Sequence, residues 1–147
     1  MQSPELTIVL PTFNEAANLP MMVERIGKAL AGLPHEIIVV DDDSPDGTAR
    51  VARELGRKHH HVRCIRRIGR RGLSGACAEG MMAAAAPIVA VMDADGQHDE
   101  TILPAMLEKI GEGADVVVGS RYVDGGSTGD GLTRTRARGS ELATWIS

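Results

Sequence analysis

The sequence is poor in aromatic side chains, which limits how its core can be built. Among 147 residues, Phe13, Tyr122 and Trp145 are the only aromatic ones of the Phe, Trp and Tyr classes. Aliphatic side chains and alanines must therefore fill the interior. The composition, 43% hydrophobic and 24% charged, is otherwise that of a soluble globular protein. The length suits one domain with a proper core, and we predict a single domain over residues 1–147.

The sequence also lacks an excess of positive charge. Its net charge of −4 argues against broad electrostatic binding of nucleic acid, so no nucleic-acid partner is expected. Cysteine is scarce, and we predict that Cys64 and Cys77 are buried, unpaired thiols in a reducing compartment. The histidine run 59–61 is interpreted as surface residues of a connecting loop rather than metal ligands.

Long apolar runs are missing as well. No stretch approaches the length of a membrane span. The opening segment "MQSPELTIVL" has neither a basic region nor a cleavage pattern, so it is not a signal peptide. We therefore expect a cytoplasmic protein without a transmembrane segment.

Short apolar runs alternate with segments of helical periodicity. The predicted strands are "LTIVL" (6–10), "EIIVVD" (36–41), "VRCIR" (62–66), "PIVAVMD" (87–93) and "DVVVGSRYV" (115–123). Asn14 is expected to cap the first helix, and Gly32 to end it. Continuously apolar strands separated by helices are typical of a mainly parallel sheet covered on both faces, which is an α/β fold.

Each predicted strand is followed by a polar cluster. In such sheets ligands bind beyond the carboxyl ends of the strands. The clusters are "PTFNE", "DDDSPDGT", "RIGRRGLSGA", "DADGQH" and "SRY". We therefore expect one ligand site at this edge of the sheet.

The fourth cluster places two carboxylates one residue apart. Asp93, Asp95 and Gln97 offer oxygen donors at alternate positions, and Gly96 allows a tight turn between them. Hard divalent cations prefer oxygen ligands, and Mg2+ typically takes one or two carboxylates together with substrate phosphates. The pattern predicts a site for Mg2+ or Mn2+ beside a diphosphate. The alternative is a solvated acidic loop.

The second cluster allows two interpretations. Asp41 and Asp42 could accept hydrogen bonds from the N–H groups of a nucleotide base. Alternatively, the segment is a plain turn in which Ser44 or Asp46 caps the next helix. The first cluster is equally open, because Asn14 and its neighbouring acid could cap a helix or belong to a nucleotide site.

The third cluster carries Arg67, Arg70 and Arg71 before a glycine-rich turn into a helix. Basic residues at a helix N-terminus suit phosphate, but the same run could be a solvated surface. The spacing and lysine of a Walker loop are absent. The first strand is not followed by a G-x-G-x-x-G fingerprint, so a Rossmann-type dehydrogenase fits poorly.

Taken in order, "IVLPTFNE", "EIIVVDDDSPDGT", "RRGLSGA", "VMDADGQH" and "VVGSRYVDGG" resemble the family 2 glycosyltransferases of the GT-A fold. The polyprenyl-phosphate (dolichol-phosphate) mannosyltransferases are the most similar members, and the resemblance covers residues 5–146. It implies a three-layer α/β/α sandwich with a mainly parallel sheet. It also implies an inverting, metal-dependent transfer of a sugar to a polyprenyl phosphate at the cytosolic face of a membrane, with GDP-mannose as donor.

The resemblance also implies roles for individual residues. Those implied to line the nucleotide-sugar pocket are Pro11, Phe13, Glu15, Asp42 and Asp93. Those implied to hold Mg2+ or Mn2+ are Asp93, Asp95 and Gln97. Arg121 would bind the acceptor phosphate with help from Arg134, and Asp95 and Arg121 would be the catalytic residues. Phe13 stands where the family commonly has tyrosine.

The end of the chain departs from the family pattern. Residues 124–138 are glycine-rich and then basic, and we expect a flexible loop on the acceptor side. Family members normally continue past this segment, so the chain is interpreted as a truncated catalytic domain with peripheral membrane contact or a membrane partner. Two alternatives remain: a UDP-sugar-dependent family 2 transferase with another acceptor, and a truncated, inactive nucleotide-binding domain.

Overall fold

A computed structural model describes residues 3–120 of the chain. Its strands are β1 (Leu6–Thr12), β2 (His35–Asp41), β3 (Val62–Arg66) and β4 (Ile88–Val91). Its α-helices are α1 (Leu19–Ala29), α2 (Thr48–Lys58), α3 (Leu73–Met82) and α4 (Leu103–Gly111), with a 3₁₀ turn at Glu100–Ile102. Four of the five predicted strands and the helices between them are therefore present.

The four strands form one parallel sheet in the order β3-β2-β1-β4. Leu6 of β1 pairs with His35 on one side and with Ile88 on the other. Crossovers between parallel strands are right-handed, and the chain reverses direction across the sheet between β3 and β4. α1 and α2 therefore cover one face and α3 covers the other. This arrangement confirms the predicted α/β class with a parallel sheet.

The central strands are buried because helices cover both faces. Every residue of β1 is buried. Val9, Ile38 and Val40 form a cluster with Ala76 of α3. α3 can pack this closely because Gly80 faces the sheet: a Cβ there would lie 2.3 Å from Val9 Cγ1. The alternate strand residues point to the opposite face, toward the apolar stripe of α1.

The start of α1 differs from the sequence expectation. Asn14 does not cap the helix, since its φ of 60° places it in the left-handed region four residues before the N-cap, Asn18. Pro20 lies in the first turn of α1, where its missing N–H costs nothing. The expected end is confirmed, because Gly32 adopts a φ of 86° in the turn that follows α1.

The predicted fifth strand, 115–123, is wrong over its described part. Residues 115–120 form no strand, and Val116 and Val118 are exposed. A β-branched apolar run becomes a strand only where its backbone pairs with a neighbour, and local propensity does not supply that partner. Residues 121–123 and the predicted loop 124–138 lie outside the described residues.

The chain divides into two compact units, Met1–Pro104 and Ala105–Ser147. The sheet and α1 to α3 belong to the first unit. The prediction of a single domain over residues 1–147 stays a prediction. Within residues 3–120, no helix has both the length and the apolar character needed to span a bilayer.

Both cysteines are unpaired, as predicted, but they are half-buried rather than buried. Desolvation raises the pKa of both thiols, and the charge of Asp93 adds to this at Cys77. Of the histidine run, only His61 leaves the surface. Its ring packs edge-on against that of His35, with 4.9 Å between centroids, and its burial lowers its pKa.

Candidate functional site

The loops that follow the strands lie side by side at the carboxyl edge of the sheet. Beyond the ends of the strands, the backbone N–H of Asp42 donates to Thr12 O at 3.0 Å. In the next loop, the N–H of Arg67 donates to Asp41 O at 2.8 Å. Hydrogen bonding thus continues past the sheet and brings together the first three of the polar clusters that the sequence analysis placed at this edge.

The loop after β1 is held by side chains from the loop after β2. Three consecutive backbone N–H groups each donate to one side chain: Asn14 to Ser44 Oγ (2.9 Å), Glu15 to Thr48 Oγ1 (3.0 Å) and Ala16 to Asp46 Oδ2 (3.0 Å). The sequence analysis did not predict these three hydrogen bonds. The sequence feature that could have indicated them is the recurrence of three short polar side chains at alternate positions in "SPDGT".

Asp46 also serves the start of α2. Its Oδ1 accepts from the N–H of Thr48 at 3.0 Å and from Thr48 Oγ1 at 2.6 Å. Burial alone would raise the pKa of Asp46, but the hydrogen bonds from Thr48 and from the N–H of Ala16 outweigh it and lower the pKa. Of the two proposed caps, Asp46 therefore supports the helix start, while Ser44 is used by the β1 loop.

The two acids at the end of β2 have different surroundings. Asp41 is fully buried and accepts from Thr12 Oγ1 at 3.3 Å, from Ser44 N at 3.0 Å and from Ser44 Oγ at 2.5 Å. These partners are all internal, so Asp41 organises the loop. Asp42 accepts two hydrogen bonds rather than three and is 7% exposed, so it is the better candidate for contacting a ligand.

Arg67 is not a surface arginine. Only 4% of it is exposed, and its Nη1 donates to Asp42 Oδ1 and to Gly72 O, while its Nε donates to Glu79 Oε1 at 3.1 Å. Burial works to lower the pKa of the Arg67 guanidinium, but the hydrogen bonds and charges of the two acids outweigh it and raise the pKa. With these partners, Arg67 is unsuited to binding phosphate, one of the alternatives that the sequence left open.

The other two arginines of the run remain exposed. Arg70 Nη1 donates to Glu79 Oε1 at 2.9 Å. The guanidinium carbon of Arg71 lies 4.9 Å from the centroid of the Phe13 ring, a cation–π contact that joins the loops after β1 and β3.

The residues implied to contact the nucleotide come together at this edge. Pro11 is buried within β1, and Phe13, which is 46% exposed, follows the strand directly. Glu15 is half-buried, and its Oε2 accepts from Asn18 Nδ2 at 2.7 Å. With Asp42, which directly follows the neighbouring strand β2, these side chains combine an aromatic face with carboxylates, which suits a base and a ribose.

The segment after β4 presents its acids outward. Asp93, Asp95 and Gln97 are exposed, whereas Met92 and Ala94 are buried. This alternation agrees with the predicted placement of three oxygen donors on alternate residues.

Local hydrogen bonds shape the same segment. The N–H of Gln97 donates to Asp95 Oδ1 at 2.9 Å, and Gly96 adopts the predicted tight turn with a φ of 76°. A Cβ at Gly96 would also lie 3.3 Å from Met21 Cε, so glycine fits here for two reasons.

The donor set limits what kind of metal site this can be. Across residues 3–120, no group of three or more His, Cys, Asp or Glu side chains could hold a metal ion. Asp93 and Asp95 supply two carboxylates, and His98 Nδ1 lies 4.0 Å from Asp93 Oδ2. This set fits Mg2+ or Mn2+ bound jointly with phosphates and water, and does not fit a cage built entirely from protein. The predicted acceptor residues, Arg121 and Arg134, lie outside the described residues.

Comparison with known proteins identifies the family. Residues 7–145 match the model of glycosyl transferase family 2. The chain belongs to this family. Its parallel sheet with flanking helices is the GT-A fold found in the family's solved structures, and the enzyme class predicted from the sequence is that of its named relatives.

Two relatives and one structure define the likeness further. The chain is 46% identical over 122 residues to a dolichol-phosphate mannosyltransferase from Pyrococcus furiosus, covering 83% of this chain and 34% of the relative. It is 38% identical over 124 residues to a polyprenol monophosphomannose synthase from Mycolicibacterium smegmatis, covering 82% and 46%. The chain thus spans less than half the length of these relatives.

One structural relative is a mannosyltransferase from Pyrobaculum calidifontis in complex with GDP-Man and Mn2+. It is similar to this chain with a TM-score of 0.56 at 28% identity, over 65% of this chain and 28% of that one.

Proposed function

We propose that this chain is the catalytic core of a metal-dependent, inverting glycosyltransferase that moves mannose from GDP-mannose to a polyprenyl phosphate. The observation that carries the proposal is the 46% identity over 122 residues to a dolichol-phosphate mannosyltransferase. The convergence of an exposed aromatic residue, two acidic clusters and a parallel sheet edge supports it.

The donor site is proposed at the carboxyl ends of β1 and β2. Phe13 would face the base or ribose, Pro11 would shape the floor of the pocket, and Glu15 and Asp42 would accept hydrogen bonds from the nucleoside. Carboxylates are suited to this work because they are acceptors only and can receive two adjacent donors. A guanine base presents two such donors.

The metal site is proposed at Asp93, Asp95 and Gln97, with Asp93 also on the donor side. A bound Mg2+ or Mn2+ would neutralise the charge that develops on the departing nucleotide diphosphate. The chain contributes two outward-facing carboxylates on alternate residues, followed by a turn at Gly96 that leads to Gln97. Their exposure leaves room for phosphates and water around the same ion.

The acceptor is proposed to be bound by Arg121, with help from Arg134. An arginine can hold a phosphate through two parallel hydrogen bonds, which supplies position as well as charge. The acceptor phosphate is already ionised at neutral pH, so the reaction needs no dedicated general base. A single displacement at the anomeric carbon would invert its configuration. Peripheral contact with the cytosolic face of a membrane would bring the lipid to this side.

The test is calorimetric titration of the chain with GDP-mannose, UDP-glucose and the two free diphosphates, each with and without Mn2+. We expect Mn2+-dependent binding that prefers the guanosine ligands. A preference for the uridine ligands would favour a UDP-sugar transferase instead. Tight binding of GDP-mannose without any transfer to a polyprenyl phosphate would favour an inactive nucleotide-binding domain.

A further inference from the structure

Arg67 joins three parts of the site through one buried guanidinium. It lies immediately after β3, yet it contacts Asp42 after β2, the backbone carbonyl of Gly72 before α3, and Glu79 within α3. Asp42 is also reached from a second direction, because the N–H of Gly72 donates to its Oδ2 at 2.6 Å. Both carboxylate oxygens of Asp42 are thus held from the protein side.

This arrangement fixes the orientation of Asp42 and leaves some of its hydrogen-bond acceptor positions free. A carboxylate has about four acceptor positions, of which Arg67 and Gly72 occupy two. The remaining positions stay available to a ligand. Asp42 is only 7% exposed, so its orientation depends on these two partners rather than on solvent.

The glycine at position 75 fits the same arrangement. A Cβ on Gly75 would lie 2.4 Å from Arg67 Nη2, closer than any real contact. The small residue therefore leaves the space that the guanidinium fills. This accounts for the second glycine of "GLSGA", which the sequence analysis assigned only to a turn.

We propose that Arg67 is a positioning residue for the nucleotide site, holding Asp42 and the Gly72 turn in the one orientation that accepts the base. The inference rests on the proposed function, because Asp42 is a nucleotide contact only there. A lysine cannot replace Arg67, since a single ammonium group lacks the planar fork that serves several acceptors at once.

The experiment uses Arg67→Lys and Gly75→Ala in the full chain. The first variant keeps the charge but loses the fork, and the second keeps Arg67 but displaces its guanidinium. We expect each to weaken GDP binding in the presence of Mn2+ by about tenfold, equivalent to about 1.4 kcal/mol. Pyrophosphate binding with Mn2+ should stay unchanged, because pyrophosphate has no base. Glu79→Gln is the control, since Glu79 contacts Arg67 but not Asp42.

Amide hydrogen exchange at Gly72 tests the same contacts among Arg67, Asp42 and Gly72 in the absence of any ligand. We expect faster exchange in Arg67→Lys and Gly75→Ala and no change in Glu79→Gln. The double variant Arg67→Lys/Asp42→Asn should bind GDP no more weakly than Asp42→Asn alone, because the two residues act as a unit. A purely stabilising role would lower the melting temperature and leave GDP affinity intact, which would overturn the proposal.

The proposal would also be overturned if the amide exchange rate of Gly72 did not change in Arg67→Lys and Gly75→Ala. It would likewise be overturned if the losses of GDP affinity from Arg67→Lys and Asp42→Asn were additive in the double variant. Failure of the proposed function has a different signature. If the parent chain binds GDP and Asp42→Asn binds it equally well, the assignment of Asp42 to the base is wrong, and the link from Arg67 to the nucleotide is wrong with it. Gly72 exchange would then show only that Arg67 fixes Asp42.

Discussion

Gly80 of α3 lies so close to Val9 of β1 that a single added methyl group would sit 2.3 Å from Val9 Cγ1. The same methyl group would be 3.0 Å from Val40 Cγ2, so neither neighbouring side chain offers space. The distance between α3 and the sheet is thus set by a residue without a side chain, and that distance places the start of α3 beside Asp42.

We therefore expect Gly80→Ala to lower the free energy of unfolding by about 1–3 kcal/mol, because overpacking a buried contact forces the helix outward. Chemical denaturation measures this directly. Gly27→Ala in α1 is the matched control. Nothing lies within 4 Å of a Cβ there, so helix propensity alone should stabilise that variant by up to about 1 kcal/mol. Equal effects of the two substitutions would contradict the close packing of α3.

Glu36, near the start of β2, hydrogen-bonds to three separate parts of the chain at the end of the sheet opposite the candidate site. It accepts from Thr7 Oγ1 at 2.7 Å, from Arg63 Nε at 2.9 Å and from the N–H of Ala85 at 2.6 Å. Burial alone would raise the pKa of Glu36, but these hydrogen bonds and the charge of Arg63 lower it below its usual 4.5. Its stabilising contribution is therefore present above pH 4.5 and lost as the pH falls through the lower folded-state pKa.

Glu36→Gln should then cost about 1–3 kcal/mol at pH 7, and the difference from the parent should shrink at acid pH. Denaturant titrations over a pH series would show this convergence. Glu54→Gln, on the exposed face of α2, should differ little from the parent at any pH. A constant gap between Glu36→Gln and the parent down to pH 2 would mean that the carboxylate charge is not the cause.

Arg25 and Glu100 link α1 to the 3₁₀ turn that follows the acidic segment. Arg25 Nε lies 2.6 Å from Glu100 Oε1, and Glu100 is only 4% exposed. Within the described part of the chain, Glu100 Oε2 has no hydrogen-bond partner. Removing the arginine alone would leave a buried carboxylate without its cation.

We expect Arg25→Met to cost about 1–3 kcal/mol, and Arg25→Met/Glu100→Met to cost less than the single substitution. The measurement is a double-mutant cycle of unfolding free energies. Lys28→Met removes a cation from the same helix, where it pairs with exposed Glu24, and should leave stability nearly unchanged. A double variant less stable than Arg25→Met would show that Glu100 does not destabilise the fold when it lacks its cation.

Two acids of the same short segment are expected to have separable roles. Asp95→Ala should abolish Mn2+-dependent binding of GDP-mannose and leave the fold intact. Asp99 instead accepts from the N–H of Thr101 at 3.0 Å as the cap of the 3₁₀ turn, so Asp99→Ala should cost about 1 kcal/mol of stability and keep metal-dependent binding. Calorimetry with and without Mn2+, together with thermal denaturation, distinguishes the two. Asp95→Ala binding the donor as tightly as the parent would refute the metal assignment.

Arg121 is proposed to bind the acceptor, so its loss should leave the affinity for the donor nearly unchanged. We expect Arg121→Ala to bind GDP-mannose within about threefold of the parent, while transfer to a polyprenyl phosphate falls by at least about a hundredfold. Arg121→Lys should recover only part of the rate, because lysine lacks the bidentate fork. Equal losses in donor binding and transfer would move Arg121 into the donor site.

The fold was largely predictable because its signals are local and repeated. The apolar runs of β1 and β2 are continuous, as burial on both faces requires, and their polar ends mark one edge of the sheet. The run 115–120 also contains three consecutive β-branched residues but forms no strand, since pairing depends on a partner elsewhere in the chain. The pattern of a strand can be read from sequence, whereas its pairing cannot.

The site was predictable in its residue types and less so in their partners. Asp93, Asp95 and Gln97 are exposed on alternate residues, as their spacing implied. Arg67 looked like its exposed neighbour Arg70, and nothing in the local sequence distinguishes a buried arginine from a solvated one. The difference arises from Asp42, which is distant along the chain and close in space.

The strand order has a consequence for how the molecule folds. β1 precedes the other three described strands along the chain, but it lies inside the sheet and pairs with β4, from which two strands and three helices separate it. Such distant pairing makes folding slow, because a long loop must close before the contact stabilises it. The acidic segment after β4 therefore comes to the same edge of the sheet as the loop after β1 only when this pairing forms. A nucleotide that spans both would bind the completed sheet alone and would pull the folding equilibrium toward it.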